Sequence, residues 1–417
     1  MNIIVILIGM INPLLSIPIS IYNFLKQRSP FLCSVMLSTA MAYVAYFYQS
    51  RYVGDLERYM SLLALYKGIP LHACFDRVYS GLYALDIFFW ICAKFTDERM
   101  LVVFTAFILY FCTFYVSLDY LNQFECIGDF HIVGVIILIF TLLPYYSFLS
   151  SIRSSLALSF GSLALYIEYV KGKKNLTAWA LYILPILFHL AGSLVIFLRF
   201  ALLIQGRKRY LIWATGGLIL ALMGTGLFNS VSYLNGVFTD LSDKIVEYSA
   251  YGSMKDSEWF ISVRRSIITY LQKGLCAAVL AMVICNAKDE RNSDENECDE
   301  SELDENEWDE SELDENELAE NNINAKKMSE VGVCLSSIML GMLFFPTTFY
   351  LRYFTGLFPF LILSAYRYGE MKWSKRLIIW GSAAAMLIIQ VKTLSDNTDV
   401  IIFAKHLILG ILNLFFS

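Results

Sequence analysis

The sequence predicts an all-α polytopic membrane protein: a bundle of about 11–14 transmembrane helices with an extracytoplasmic loop domain and a disordered acidic cytoplasmic loop. Three observations lead there. Of 417 residues, 57% are hydrophobic and only 17% charged, with a mean hydropathy of +0.57. Ordinary soluble domains carry about 45–50% apolar and about 25% charged residues, so this chain has too few charges for a polar exterior. Apolar stretches of spanning length recur along the whole chain, and the 31 Phe, 26 Tyr and 7 Trp suit lipid-facing surfaces with aromatic belts. A soluble enzyme, a secreted disulfide scaffold and a disordered chain are excluded on these grounds.

A spanning helix needs about 20 largely apolar residues. Residues 2–22, 31–48, 99–117, 131–149, 155–170, 177–204, 210–228, 266–286, 331–350, 354–368, 377–393 and 400–416 meet that pattern. The first is read as a retained span, because no basic segment or small-residue cleavage site marks a signal peptide. Residues 78–95 are apolar but carry Asp86, and either span or lie along the interface. An Asp86 pair with Arg77 or Lys94 is the plain reading of that charge. Four basic clusters (Lys26 with Arg28; Lys171, Lys173 and Lys174; Arg207, Lys208 and Arg209; Lys372, Lys375 and Arg376) read as cytoplasmic, which puts 49–77, 150–154, 229–265 and 351–353 outside. Parity then requires 78–95 to be interfacial and 177–204 to be a hairpin of two short helices broken near Pro185–His189, unless the charge rule fails there.

Residues 294–320 repeat with a period of ten, DENECDESEL, DENEWDESEL, DENELAE, and dominate the net charge of −5. Like-charge repulsion and low hydropathy predict a disordered cytoplasmic loop over 287–330, dividing an N-terminal transmembrane region, 1–286, from C-terminal helices, 331–417. Loop 229–265 mixes Asn229, Asp240, Tyr248, Tyr251, Asp256 and Glu258, the aromatic, amide and carboxylate content of a carbohydrate-binding surface and equally that of an ordinary outer loop. The nine Cys show no CxxC spacing, and His72, His131, His189 and His406 are scattered, so neither a metal site nor a cofactor is expected.

What remains is a set of ionisable residues near one membrane face. Arg51, Asp55, Arg58 and Tyr59 follow the second span; Arg153 sits between two apolar runs; His189 lies inside LPILFHLAGSLV; Arg264 and Arg265 close the long loop; Arg352 and Tyr353 interrupt TTFYLRYFTGLF. Charge at membrane depth usually faces a cavity or a partner. Arginine suits phosphate, because its planar fork donates in pairs and stays protonated. Each position also has a plainer reading: snorkelling for Arg51 and Arg58, an interfacial anchor for Arg153, a satisfied core histidine for His189, a span boundary for Arg264 and Arg265.

Arg51-Tyr-Val-Gly54-Asp55…Tyr59 resembles the R-x-x-G-x-D-x-x-x-Y signature of EpsG/Wzy-type polysaccharide (O-antigen, capsule and exopolysaccharide) polymerases. Arg153-Ser-Ser-Leu156-Ala157 resembles their R-Q-x-L-A motif, with Ser154 in place of Gln. The lysine-rich break at 171–174, then Phe188-His189, and the late Arg352-Tyr353 follow the same order. The resemblance implies a bacterial inner-membrane glycosyltransferase, free of metal and cofactor. It would join undecaprenyl-diphosphate-linked oligosaccharides at the outer leaflet, with membrane lipid and a chain-length regulator as further partners and no nucleic acid. It also implies diphosphate and glycan binding by Arg51, Arg58, Tyr59, Arg153, Arg264, Arg265, Arg352 and Tyr353, with His189 or Asp55 as base. A lipid-linked oligosaccharide flippase and an O-antigen ligase are the rival readings; a flippase should show two related halves, and none is visible.

Overall fold

The computed structural model describes residues 2–48, 55–76, 82–124, 128–145, 149, 151–189, 192–204, 209, 211–216, 271–285, 312–343, 349–365 and 373–397. Among them every regular element is a helix: α1 (Asn2–Ile11), α2 (Ser16–Gln27), α3 (Pro30–Tyr46), α4 (Asp55–Tyr66), α5 (Leu71–Asp76), α6 (Tyr83–Ala93), α7 (Met100–Leu121), α8 (Asp129–Leu142), α9 (Ile152–Leu165), a π-helical turn (Tyr166–Val170), α10 (Leu176–Phe188), α11 (Ser193–Ala201), α12 (Leu271–Cys285), α13 (Glu312–Leu343), α14 (Phe349–Gly356), α15 (Phe358–Ala365) and α16 (Trp373–Asn397). Two stretches, Met100–Leu121 and Trp373–Thr393, are long and apolar enough to cross a bilayer; six other described helices are apolar but shorter.

The first apolar run is a hairpin rather than the single span expected over 2–22. Pro13 has no N–H to continue a helix, and the Asn12 side chain takes the Leu14 N–H at 3.1 Å. The chain reverses, and Asn23 Nδ2 donates to Asn2 Oδ1 at 2.9 Å. Arg28 then adopts a left-handed conformation (φ 49°) and Ser29 an extended one before Pro30, the pattern that starts a new helix with proline in its first turn.

Helix α7 is the central rod, with Leu101, Ala106, Leu109, Phe114 and Leu118 fully buried. Helix α3 lies antiparallel along it. At one end, here the upper, Tyr46 OH donates to Asp97 Oδ2 at 2.8 Å; at the other, Phe31 and Phe111 meet edge-on with centroids 5.8 Å apart. Helix α8 is also antiparallel, pairing Phe114 with Phe140 (5.1 Å) and Tyr110 with Tyr145 (6.2 Å). Helix α9 runs parallel to α7: below it, Tyr166 OH and Lys171 Nζ reach Asp119 Oδ2 at 2.6 and 2.7 Å. Helix α13 joins at that lower end, where Asn324 Nδ2 donates to Gln123 Oε1 (3.1 Å) and Tyr169 OH to Glu330 Oε2 (2.8 Å). Along the outside, α16 holds to α8 through Gln390, whose Nε2 donates to Thr141 O at 2.6 Å.

Several expectations change. The region 49–77, read as a loop, contains α4 and α5. Of the run 78–95 the described residues, from 82 on, hold the eleven-residue α6, whose Asp86 accepts the Tyr66 hydroxyl, while Lys94 reaches Ile69 O at 3.3 Å. Loop 351–353 lies inside α14. The loop expected over 287–330 is helical from Glu312, because past the last repeat the segment gains polar partners on the bundle, Asn321 on Gln123 O and Glu330 on Tyr169 and Arg209. The run 177–204 holds two short helices, the first ending at Phe188, beside Pro185–His189, and the second starting at Ser193. They pack antiparallel: Phe188 stacks on Phe160 and Tyr182 bonds Glu168, whereas α11 returns so that Arg199 meets the same Glu168. The described members of the four basic clusters come to the lower end, and Arg207, Lys208 and Lys372 lie outside the described residues. Arg28 faces Asp129 (3.6 Å), Lys171 faces Asp119, Arg209 faces Glu330 (3.7 Å), and Lys375 and Arg376 begin α16, whose far half reaches Tyr145.

The upper tie depends on ionised Asp97. Burial works to raise its pKa, but the Arg99 backbone N–H, the Tyr46 hydroxyl and the Arg99 charge outweigh burial and hold the carboxyl below its ordinary value. A lowered pKa stabilises above the ordinary carboxylate range and is lost as pH falls through the lowered value. Asp97→Asn should therefore melt below the wild type at pH 7, with the difference shrinking once the pH drops below about 4. A gap that is the same at pH 7 and pH 3 contradicts this.

Candidate functional site

The upper end brings two of the sequence-predicted segments together. Helix α4 turns Tyr59 inward, 3% exposed, against Phe89 at 5.7 Å, and leaves Arg58 on the surface with its Cζ 5.3 Å from the Tyr59 centroid. From the far side of the chain, Arg153 brings its Cζ to 5.3 Å from the same ring. Two guanidinium groups thus share one aromatic ring; each is attracted to its face, and they repel each other.

Arg153 is the second residue of α9. The first bond of the helical ladder is Ser155 N–H to Ser151 O at 3.0 Å, so the N–H groups of Ile152, Arg153 and Ser154 precede it. A helix N-terminus carries partial positive charge and disfavours a cation by about 0.3–1 kcal/mol. Arg153 Nε is nevertheless buried there, without a hydrogen-bond partner among the described residues. Other arginines are treated differently: Arg28, Arg99, Arg199 and Arg209 each have a carboxylate within 4 Å. The backbone donors and the guanidinium at this corner share one complement, an anion.

Helix α14 packs on α9 below this corner. Its direction follows from α13: Ser364 Oγ donates to Met328 O (3.3 Å), and Gly332 is so close to Ser364 and Phe360 that a Cβ there would lie 2.0 Å from Ser364 Oγ. The end of α15 is therefore level with Glu330 and Tyr169, and α14–α15 descends parallel to α9. In that register Gly356 abuts Leu158, where an added Cβ would lie 2.1 Å from Leu158 Cβ. Arg352, four residues above Gly356, then stands at the level of Arg153, five above Leu158. Tyr353 is half-buried against the core.

His189 ends α10 in an extended conformation, donating its N–H to Pro185 O (2.9 Å) and accepting from Gly192 N–H (2.8 Å). The reversal needs glycine, since a Cβ at 192 would lie 2.4 Å from the Pro185 carbonyl carbon. The hairpin tip stops part-way up the bundle: Phe188 stacks on Phe160, seven residues along α9 from Arg153, or about 10 Å lower. An aromatic wall of Phe188, Phe88, Phe89 and Tyr59 joins the two levels. The half-buried His189 is thus below the arginine corner, not in it. Asp55 opens α4, one turn before Tyr59, directly after Gly54 where the polymerase signature has one residue between. Arg51, Arg264 and Arg265 lie outside the described residues.

One functional contact was missed in the sequence. Glu168, 4% exposed in the π-helical turn, accepts from Arg199 Nε (2.7 Å), Arg199 Nη2 (3.0 Å) and Tyr182 OH (3.1 Å), clasping the hairpin base to α9. A lone acid in the apolar run LALYIEYV was the available signal; its partner 31 residues on was not.

No protein-family model, curated protein or solved structure matches this chain. The resemblance to polysaccharide polymerases therefore stands on the quoted residues.

The two arginines should respond oppositely to removal of charge. Arg199→Met strands a buried carboxylate and should cost about 3–5 kcal/mol. Arg153→Met removes a buried donor, Nε, that has no partner among the described residues, and should melt no lower than the wild type. Thermal unfolding in detergent checks both; an Arg153→Met protein as destabilised as Arg199→Met refutes the assignment of Arg153 as unsatisfied.

Proposed function

We propose that the chain is a polytopic membrane glycosyltransferase that polymerises oligosaccharide repeat units carried on undecaprenyl diphosphate, with the arginine corner facing the outer leaflet. The observation that carries this reading is Arg153: its Nε is buried at a helix N-terminus, beside backbone N–H groups that precede the helical ladder, and among the described residues no carboxylate pairs with it, a combination suited to an oxyanion. Membrane insertion is supported by the outward-facing apolar side chains, among them Ile3, Met10, Leu211, Trp373 and Ile388, each more than 65% exposed. Collection of the described members of the basic clusters at the opposite end supports the orientation, since positive residues mark the cytoplasmic side.

The chemistry is a displacement at an anomeric carbon. A hydroxyl of the acceptor glycan attacks C1 of the donor's reducing-end sugar, the C1–O bond to phosphate breaks, and undecaprenyl diphosphate leaves with the electron pair. Charge builds on the leaving diphosphate. Arg153, the α9 N–H groups and Arg352 at the same level stabilise it, aided by Arg51 and Arg58 with Tyr59, and by Arg264 and Arg265 of the long outer segment. Tyr353 belongs to the same helical turn as Arg352. The acceptor proton passes to His189 or to Asp55. The hairpin tip places His189 on a broken helix, the arrangement membrane proteins use where backbone lines a polar cavity.

Reconstituted protein supplied with lipid-linked repeat unit should make polymer, read by product sizing. Arg153→Ala should slow turnover about 10²–10³-fold, the usual worth of one preorganised donor, and His189→Ala about 10²–10⁴-fold if His189 is the base. Full-length polymer from both variants at wild-type rate refutes the proposal.

A further inference from the structure

We propose that an open groove at the upper end, between α4 and the turn joining α6 to α7, holds the sugar chain of a lipid-linked oligosaccharide. The groove has a volume of about 460 Å³ and is lined by Met60, Thr96, Asp97, Glu98 and Arg99. None of these residues belongs to the arginine corner, yet α4 is the wall common to both. Successive helical residues point about 100° apart, so Tyr59 faces Arg153 while its neighbour Met60 faces the groove.

The charge balance selects the ligand class. Glu98 Oε1 accepts from Lys67 Nζ at 3.1 Å, and Asp97 Oδ1 accepts from Arg99 Nε at 3.2 Å. The lining charges are thus neutralised in pairs, and a free anion or cation would have to break a pair to enter. Hydrogen-bonding capacity is not used up. A carboxylate has about four acceptor sites, and Arg99 spends only its Nε on Asp97. Acceptors and donors side by side, with the thioether of Met60 as an apolar floor, suit a neutral, hydroxyl-rich chain. The backbone beneath is fixed, because Asp97 also takes the Tyr46 hydroxyl and the Arg99 N–H at 2.9 Å, and Arg99 Cζ sits 4.4 Å from the Tyr46 ring centroid. The size lies within the range of about 300–1,000 Å³ usual for ligand sites.

This inference rests on the polymerase reading for the identity of the glycan but is tested apart from it. The probe is the oligosaccharide released by mild acid from the carrier lipid of cells lacking this protein, titrated calorimetrically into the full chain in nanodiscs. Binding should weaken about tenfold in Glu98→Ala and in Arg99→Ala, one charge-assisted hydrogen bond each, and stay unchanged in Lys174→Ala at the lower end. Glu98 is a surface residue, so its variant stays folded even if Arg99→Ala does not. Unaltered affinity in Glu98→Ala, or no binding to wild type, overturns the groove. Polymer formation by wild type with an unchanged KM in Glu98→Ala likewise removes the groove and leaves the polymerase reading intact. Glycan binding lost in Glu98→Ala without polymerisation by wild type removes that reading and leaves the groove.

Discussion

An arginine whose Nε is buried where the helix dipole opposes its charge is the constraint on which the upper end of this molecule depends. Taking a guanidinium out of water requires an electrostatic partner, and this chain supplies one elsewhere: bidentate Glu168 for Arg199, Asp129 for Arg28, Glu330 for Arg209. At Arg153 it supplies an aromatic face instead, while the backbone N–H groups of the helix start oppose the charge. Among the described residues, no carboxylate completes this corner as an ion pair.

The remaining architecture sets the position of that corner. Helix α7 sets the level of everything packed on it, α9 runs down it in parallel, and α14 follows α9 closely because Gly356 admits Leu158. Below, one buried carboxylate fixes three elements. Glu168 sits in a π-helical turn, where an extra residue redirects side chains, and from there it reaches α10 through Tyr182 and α11 through Arg199. The hairpin can therefore be short. Its two helices end at His189 and restart at Ser193, with the aromatic wall above the tip and the ion pair at the base.

The helical class was legible in the sequence because hydropathy alone decides it. So were the break beside Pro185, where a proline precedes a lone histidine and a glycine, and the position of Arg153 between two apolar runs. Helix ends were less legible. The run 2–22 reads as one span by hydropathy, yet Pro13 with the Asn12 side chain turns it into a hairpin. Residues 312–330 continue the acidic repeat's composition, and their helix is held by Gln123, Tyr169 and Arg209, partners far away in sequence. The groove was invisible for a similar reason. Asp97, Glu98 and Arg99 look like an ordinary charged turn until Tyr46, Met60 and Lys67 are folded against them.

The most direct measurement is the Nε–H resonance of Arg153 in protein labelled with ¹⁵N-arginine, assigned by its absence from Arg153→Met and followed as inorganic pyrophosphate is added. The account predicts a saturable shift with slowed proton exchange at this one arginine, and little change at the carboxylate-paired Arg199. A resonance for Arg153 that stays in place, or moves only in step with Arg199, contradicts it.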